Sequence, residues 1–216
     1  MAAGLPPWAP VSPDRPSSAP VRVVLLAGPS GCGKSHIARA SGLPVVALDD
    51  FYREATEPGM PRTPAGEVDW EEPASWDAEA ALAALATLCA RGEVDVPTYS
   101  FARSAVVGHH LLRSGGAPVV VAEGIFAAEL IGPLRAEGLL HSGWCIIHRH
   151  PGVNFLRRLA RDLRERRKPP HILVRRGWAL MRSEPSVIER QRKLGATCAR
   201  ATVVEDTLAA HRPGAG

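Results

Sequence analysis

Apolar residues in this chain fall into short β-branched runs separated by stretches of helical period. Residues 21–27 (Val-Arg-Val-Val-Leu-Leu-Ala), 44–48 (Pro-Val-Val-Ala-Leu), 119–122 (Val-Val-Val-Ala), 143–148 (Gly-Trp-Cys-Ile-Ile-His) and 201–204 (Ala-Thr-Val-Val) each predict a strand. Between them, 36–40 reads as the first turns of a helix. Residues 75–91 predict another, capped by Ser75, with Asp77 and Glu79 in its first turn and Ala81, Leu82, Leu85 and Leu88 on its apolar face. Residues 94–110 hold two β-like pieces around Pro97 and Arg103, the pattern of a hairpin. From Val153 a basic helix begins, with Leu156, Leu159 and Leu163 expected to face the core. It breaks at Lys168-Pro169-Pro170, and a further helical stretch covers 172–194. Residues 54–73 are irregular. Short strands alternating with helices imply a three-layer α/β domain: a mostly parallel five-stranded sheet with helices on both faces, a small hairpin insertion and a helical lid. Ligands of such sheets sit beyond the carboxyl ends of the strands, where Asp49, Asp50 and Glu123 fall.

The first strand runs into Gly28-Pro-Ser-Gly-Cys-Gly-Lys-Ser35, which fits G-x-x-x-x-G-K-[ST] between a strand and a helix. Glycines there let backbone N–H groups turn inward around phosphates, and the helix N-terminus adds partial positive charge. The expected nucleotide contacts are Gly28, Ser30, Gly31, Cys32, Gly33, Lys34, Ser35 and His36. Lys34 supplies a point charge to the β- and γ-phosphates, and the Ser35 hydroxyl is a ligand for Mg²⁺. Phosphoryl transfer also needs a group to receive the acceptor's proton, and Asp49 or Asp50 has the position for it. Glu123 ends a wholly apolar strand, where a carboxylate is costly unless paired or near a metal. The sequence therefore predicts a domain that binds a nucleoside triphosphate with Mg²⁺.

Charge is distributed unevenly. Ten acidic and two basic residues lie between Asp49 and Glu79, whereas 13 of the 26 Lys and Arg residues lie between Arg149 and Arg192. The acidic stretch suits hydroxyls, protons or metal; the basic one suits polyanions. Arginines on a closing lid can reach a transferring phosphoryl group and exclude water. A basic helix also suits nucleic acid, but no stacking platform or recognised nucleic-acid motif accompanies it, so nucleic acid is not the expected partner. Six prolines among residues 1–20, with no apolar core, read as a disordered tail and not as a signal peptide. The expected domain is 21–208, with the lid at about 153–182 and a disordered tail at 209–216. No apolar run approaches the length of a bilayer crossing, which predicts a cytoplasmic protein without membrane attachment. Cys32, Cys89, Cys145 and Cys198 form no C-x-x-C pair.

Five separated pieces, in order, resemble the uridine kinase (uridine–cytidine kinase) family of P-loop nucleoside kinases. They are the phosphate loop, Asp49-Asp-Phe-Tyr52, Asp69-Trp-Glu-Glu-Pro-Ala-Ser-Trp-Asp77, Pro97-Thr-Tyr-Ser-Phe101 and Val121-Ala-Glu-Gly-Ile125. The lid, residues 157–166, is similar as well, and the resemblance covers 21–206. It implies a P-loop NTPase fold and an ATP- and Mg²⁺-dependent phosphotransferase acting on an alcohol. The resemblance makes Asp49 the base facing the nucleoside 5′-hydroxyl, Glu71 the carboxylate at the ribose hydroxyls and Tyr99 the aromatic contact to the base. Tyr52 belongs to the same substrate pocket. Glu123 becomes a magnesium-associated carboxylate, and Arg158, Arg161 and Arg166 become lid arginines, with Lys168 where another arginine is expected. Two positions depart from the family pattern. Ser104 stands where a histidine reads the base edge, and Ser100 replaces an aspartate; His109 and His110 lie close by.

Three functions stay open on the sequence: a kinase of uridine, cytidine or a related nucleoside; a kinase of another small alcohol such as pantothenate or a sugar phosphate; and an NTP-binding switch or nucleic-acid-associated module. No Asn-Lys-x-Asp guanine-reading motif occurs. The expected partner is a small-molecule substrate, and a homo-oligomer is compatible with the chain.

Overall fold

A computed structural model of the chain describes residues 20–147, 152, 154–156, 159 and 170–212. Five strands form one sheet: β1 (Arg22–Ala27), β2 (Val45–Ala47), β5 (Val119–Glu123), β6 (Leu140–Ile146) and β7 (Thr197–Ala199). Their order is β2-β5-β1-β6-β7, and every pairing is parallel. Four of the five apolar runs read as strands are thus part of a parallel sheet buried on both faces. Along β1, Val23, Leu25 and Ala27 join one core cluster and Val24 and Leu26 the other. Helix α1 (Lys34–Ala40) packs on the second face. Helices α2 (Ala78–Arg91) and α3 (Ile131–Ala136) cover the first, where Ile131 lies so close to Gly143 of β6 that a Cβ there would meet its Cδ1 at 2.7 Å. The hairpin is β3 (Glu93–Ser100) and β4 (Ala105–Arg113), antiparallel as expected. Long helix α4 spans Pro170–Lys193, and α5 spans Ala201–Ala209.

Three sequence expectations are corrected here. Residues 201–204 are not the last strand; they open α5, and the edge strand is Thr197–Ala199 paired with β6. The β-branched run suggested a strand, but Val204 and Leu208, one helical turn apart, bury completely against the α1 side of the sheet. Burial at a spacing of four overrides local β propensity. Ser75 is not the cap of α2: its buried hydroxyl donates to the Glu72 carbonyl at 2.7 Å. The cap is Asp77, whose carboxylate accepts from Ala80 N–H at 2.8 Å. Leu156 does not face the core but is 63% exposed. The fully buried Asn154 side chain donates to Glu184 of α4, and the Phe155 ring lies against Gly177, so that face turns inward instead. Leu159 is half-buried, and Leu163 lies outside the described residues.

Residues 209–212 of the expected tail are described and pack on the domain, while 213–216 lie outside the described residues. Arg212 donates to the carbonyls of Ser41 at 3.0 Å and Ala40 at 2.9 Å, closing the C-terminal end of α1. Among the described residues no helix is long and apolar enough to cross a membrane. Because Asp77 satisfies an otherwise orphaned N–H at an exposed helix end, Asp77→Ala should lower stability by about 1 kcal/mol, whereas a cap at Ser75 would leave it unchanged. Urea unfolding of the two proteins checks this.

Candidate active site

Parallel register assembles the site. Glu123, the last residue of β5, pairs with Leu26 of β1 on one side and Ala47 of β2 on the other. One residue beyond Leu26, β1 ends and the phosphate loop begins. One residue beyond Ala47, the chain enters the short 3₁₀ turn Leu48–Phe51, which carries Asp49 and Asp50. Three segments distant in sequence therefore end side by side at the carboxyl edge of the sheet.

The loop has the backbone its sequence calls for. Gly31 and Gly33 have φ of 82° and 98°, left-handed values that favour glycine, and Gly33 precedes the first turn of α1. At Gly28 a Cβ would meet Cys32 Sγ and the Ile146 carbonyl oxygen, both at 2.8 Å. Cys32 is buried, so its thiol serves as a small filler under the loop. Lys34 is buried as well, and its ammonium donates to the Gly28 and Pro29 carbonyls at 2.9 and 3.2 Å. Ser30 and Ser35 are half-buried and His36 is exposed.

Asp49 sits among charges. Burial pushes its carboxyl up to about 6, and the neighbouring Glu123 and Asp50 carboxylates push the same way. The Lys34 ammonium and the Ile125 N–H, which lies toward Asp49, pull against them. Asp49 thus lies within electrostatic reach of both Lys34 and Glu123. Gly124 makes this proximity possible, because a Cβ there would lie 2.9 Å from Leu48 Cβ and 3.2 Å from Asp49 Oδ1. The turn bearing Asp49 is pinned from outside the sheet too. Trp76 Nε1 donates to the Leu48 carbonyl at 2.7 Å, and Asp77 N–H donates to that of Phe51 at 2.9 Å.

Asp50 has a separate role that its position at a strand end did not reveal. Its Oδ1 accepts the Tyr99 N–H at 2.8 Å, tying the turn to β3. Burial pushes its carboxyl up, while the Tyr99 N–H and the His110 imidazole pull it down.

Beyond Asp49 and Asp50 lies an aromatic corner of Tyr52, Trp70, Tyr99, Phe101 and Phe126, with ring centroids of neighbouring pairs 5.3–6.3 Å apart. Tyr52 and Tyr99 are buried; their hydroxyls donate to the carbonyls of Trp70 and Arg53, each at 3.2 Å. The exposed ring is that of Phe101. Glu71 is exposed on the loop that Tyr52 anchors. Ser104 adopts φ of 52° in the hairpin turn, and its carbonyl accepts from Ala55 N–H at 3.1 Å. His110 pairs with Thr98 across the hairpin, Nδ1 to Oγ1 at 3.1 Å. Arg158, Arg161 and Arg166, with Arg157, Arg164 and Lys168, lie outside the described residues.

Among the described residues no group of three or more His, Cys, Asp or Glu could hold a metal by itself. Ser35 and Glu123 offer two hard oxygen donors at the mouth of the phosphate loop. That set suits Mg²⁺, which keeps waters and phosphate oxygens as its other ligands.

No protein-family model matches the chain. It is 32% identical over 118 residues to a uridine kinase of Schizosaccharomyces pombe, covering 50% of this chain and 25% of that protein. It is 28% identical over 162 residues to a uridine kinase of Deinococcus deserti, covering 70% of this chain and 73% of that protein. The chain is similar to uridine kinases. It thus spans about a quarter of the first relative and nearly three-quarters of the second. A crystal structure from Silicibacter sp., provisionally named a fructose transport system kinase, superposes with a TM-score of 0.59 at 21% identity, over 86% of this chain and 88% of that one. The chain therefore has the expected P-loop NTPase fold.

The raised Asp49 has a consequence for stability. A carboxyl held above its ordinary value binds its proton more tightly when folded, so its burial costs nothing below about pH 4, and the cost grows from there until it is complete above about 6. Asp49→Asn should therefore raise the stability of the uridine kinase-like domain at pH 8, by on the order of 2 kcal/mol. The gain should vanish near pH 3.5, and thermal melts at the two pH values measure it.

Proposed function

We propose that the chain is an ATP- and Mg²⁺-dependent kinase that transfers the γ-phosphate to the 5′-hydroxyl of uridine, cytidine or a related nucleoside. The observation that carries this reading is the juxtaposition of Asp49 with Lys34 and Glu123 at the carboxyl edge of the sheet. A nucleotide whose phosphates lie in the 28–35 loop would present its γ-phosphate toward that edge, with Lys34 leaving the loop carbonyls for the β/γ-phosphate oxygens. Asp49 would accept the proton of the attacking hydroxyl. A carboxyl titrating near 6 is mostly ionised at neutral pH yet basic enough to take a proton, which suits a general base. Ser35 and Glu123 would hold Mg²⁺, which neutralises phosphate charge when bound. The lid arginines would close on the transferring group.

A second reading, a kinase of another small alcohol, draws on the corner itself. Tyr99 is buried, Ser104 stands in a tight turn in place of a base-reading histidine, and the exposed ring is Phe101. A panel of acceptors with ATP and Mg²⁺, comprising uridine, cytidine, pantothenate and sugar phosphates, separates the two. Turnover of the pyrimidine nucleosides is the expected outcome, and turnover of a sugar phosphate or pantothenate alone would replace the first reading with the second.

On the preferred acceptor, Asp49→Asn should lower kcat about 10²-fold or more with little change in ATP affinity. The wild-type rate should fall as pH drops through about 6, because the base must be ionised. A single-turnover pH profile measures both. Arg158→Ala or Arg161→Ala should cost about 2–4 kcal/mol of transition-state stabilisation, mainly in kcat. Unchanged kinetics in both, with weakened RNA binding and a flatter salt slope, would make this segment a nucleic-acid surface instead.

A further inference from the structure

Helix α4 presents two buried polar side chains to the domain, Glu184 and Gln191, in phase with Ile188, which packs on the core. A polar group there is costly unless it is bonded, so the bonds define what the helix holds. Glu184 accepts from the buried Asn154 amide at 2.6 Å. Gln191, 3% exposed, donates through Nε2 to the Ile125 carbonyl at 3.0 Å, and its Oε1 has no hydrogen-bond partner among the described residues.

The Ile125 N–H lies toward the Asp49 carboxylate and favours its charged form. Ile125 is therefore set between Asp49 on its N–H side and Gln191, which holds its C=O. The preceding residue, Gly124, is in such close contact with Leu48 and Asp49 that a shift of this turn must displace the carboxylate. One residue before Gln191, Arg190 Nη2 meets Glu129 Oε1 at 2.6 Å, fastening the same helix end to the 3₁₀ turn that follows Ile125.

We propose that Gln191 is a positioning residue for Asp49: it holds Ile125 in place from helix α4, so that the orientation of that helix sets where the base sits. The inference rests on the reading of Asp49 as the base. It also gives α4 contacts along its length: Gly177 lies against Phe155 and Glu184 holds Asn154, while the end of the helix grips the turn beside the base.

Gln191→Met keeps the length of the side chain and removes the donor. In the full chain with ATP, Mg²⁺ and uridine, it should lower kcat about tenfold and leave the KM for ATP within about twofold. In an Asp49→Asn background the same substitution should cost less than about twofold, because the group it positions is gone. Exchange of the Ile125 amide hydrogen, followed by NMR in the full chain without ligands, should quicken at least about tenfold in Gln191→Met, while that of Leu25 in β1 stays as it was. Equal losses of kcat in both Asp49 backgrounds, or unaltered exchange at Ile125, would overturn the proposal. A wild-type chain that turns over none of the acceptors counts against the kinase reading instead, and the exchange measurement then decides the Gln191 linkage by itself.

Discussion

The Gly124 backbone passes so close to the Leu48–Phe51 turn that the site could not form around any larger residue. With a hydrogen in place of a side chain, the end of β5 approaches Leu48 and Asp49 to within van der Waals contact. That approach lets the Ile125 N–H reach the Asp49 carboxylate, and it keeps Glu123 and Lys34 near enough to interact with it. A Cβ at 124 would push the turn outward and let water in. The carboxylate would then lose the burial that raises its pKa. Local backbone geometry thus sets both the position and the basicity of the group on which the proposed chemistry depends.

Around that contact the fold is redundant. The turn bearing Asp49 is held by the Trp76 indole, by the Asp77 N–H and by the carboxylate of Asp50 on the hairpin. Trp76 and Asp77 lead into α2 and Tyr99 lies on β3, so the turn cannot move without disturbing α2 or β3. Redundancy of this kind is what a preorganised polar site needs, since a displacement of about 1 Å can cost a factor of about 10² in rate. The aromatic corner adds a second layer. Tyr52 and Tyr99 are bonded through their hydroxyls to backbone carbonyls, which fixes both buried rings, while Phe101 is left exposed to solvent.

Much of this was legible from residue order. The phosphate loop lay in register between a β-branched run and a helix, and the strand-end carboxylates stood where an open parallel sheet places ligands. Asp50 was harder to read. As one of two adjacent acids at a strand end it was a candidate base, and nothing in the local pattern said that its partner would be a backbone N–H 49 positions away. Gln191 carried a faint signal: with Glu184 and Ile188 it keeps the phase of a buried helix face, and a polar residue in that phase must be bonded to something. Which group it bonds depends on how α4 crosses the end of the sheet, and periodicity holds no information about that.

By itself, the sequence determined the element types, the parallel sheet and the phosphate-binding loop, because strand burial, helix period and glycine conformation are local properties of a few adjacent residues. It misread the run at 201–204, where β-branched residues promised a strand and α5 formed instead: Val204 and Leu208 are buried while Asp206 between them is exposed, a pattern that a helix allows and a strand does not. The cap of α2 moved from Ser75 to Asp77 for a related reason: the Ser75 hydroxyl was drawn inward to Glu72 by packing around Trp76. Only the tertiary structure decided which of the two strand-end aspartates faces Lys34 and Glu123 and which braces the hairpin. That choice turns on contacts between segments far apart in the chain, whose energies depend on distance and burial, and neither is defined until the sheet has closed.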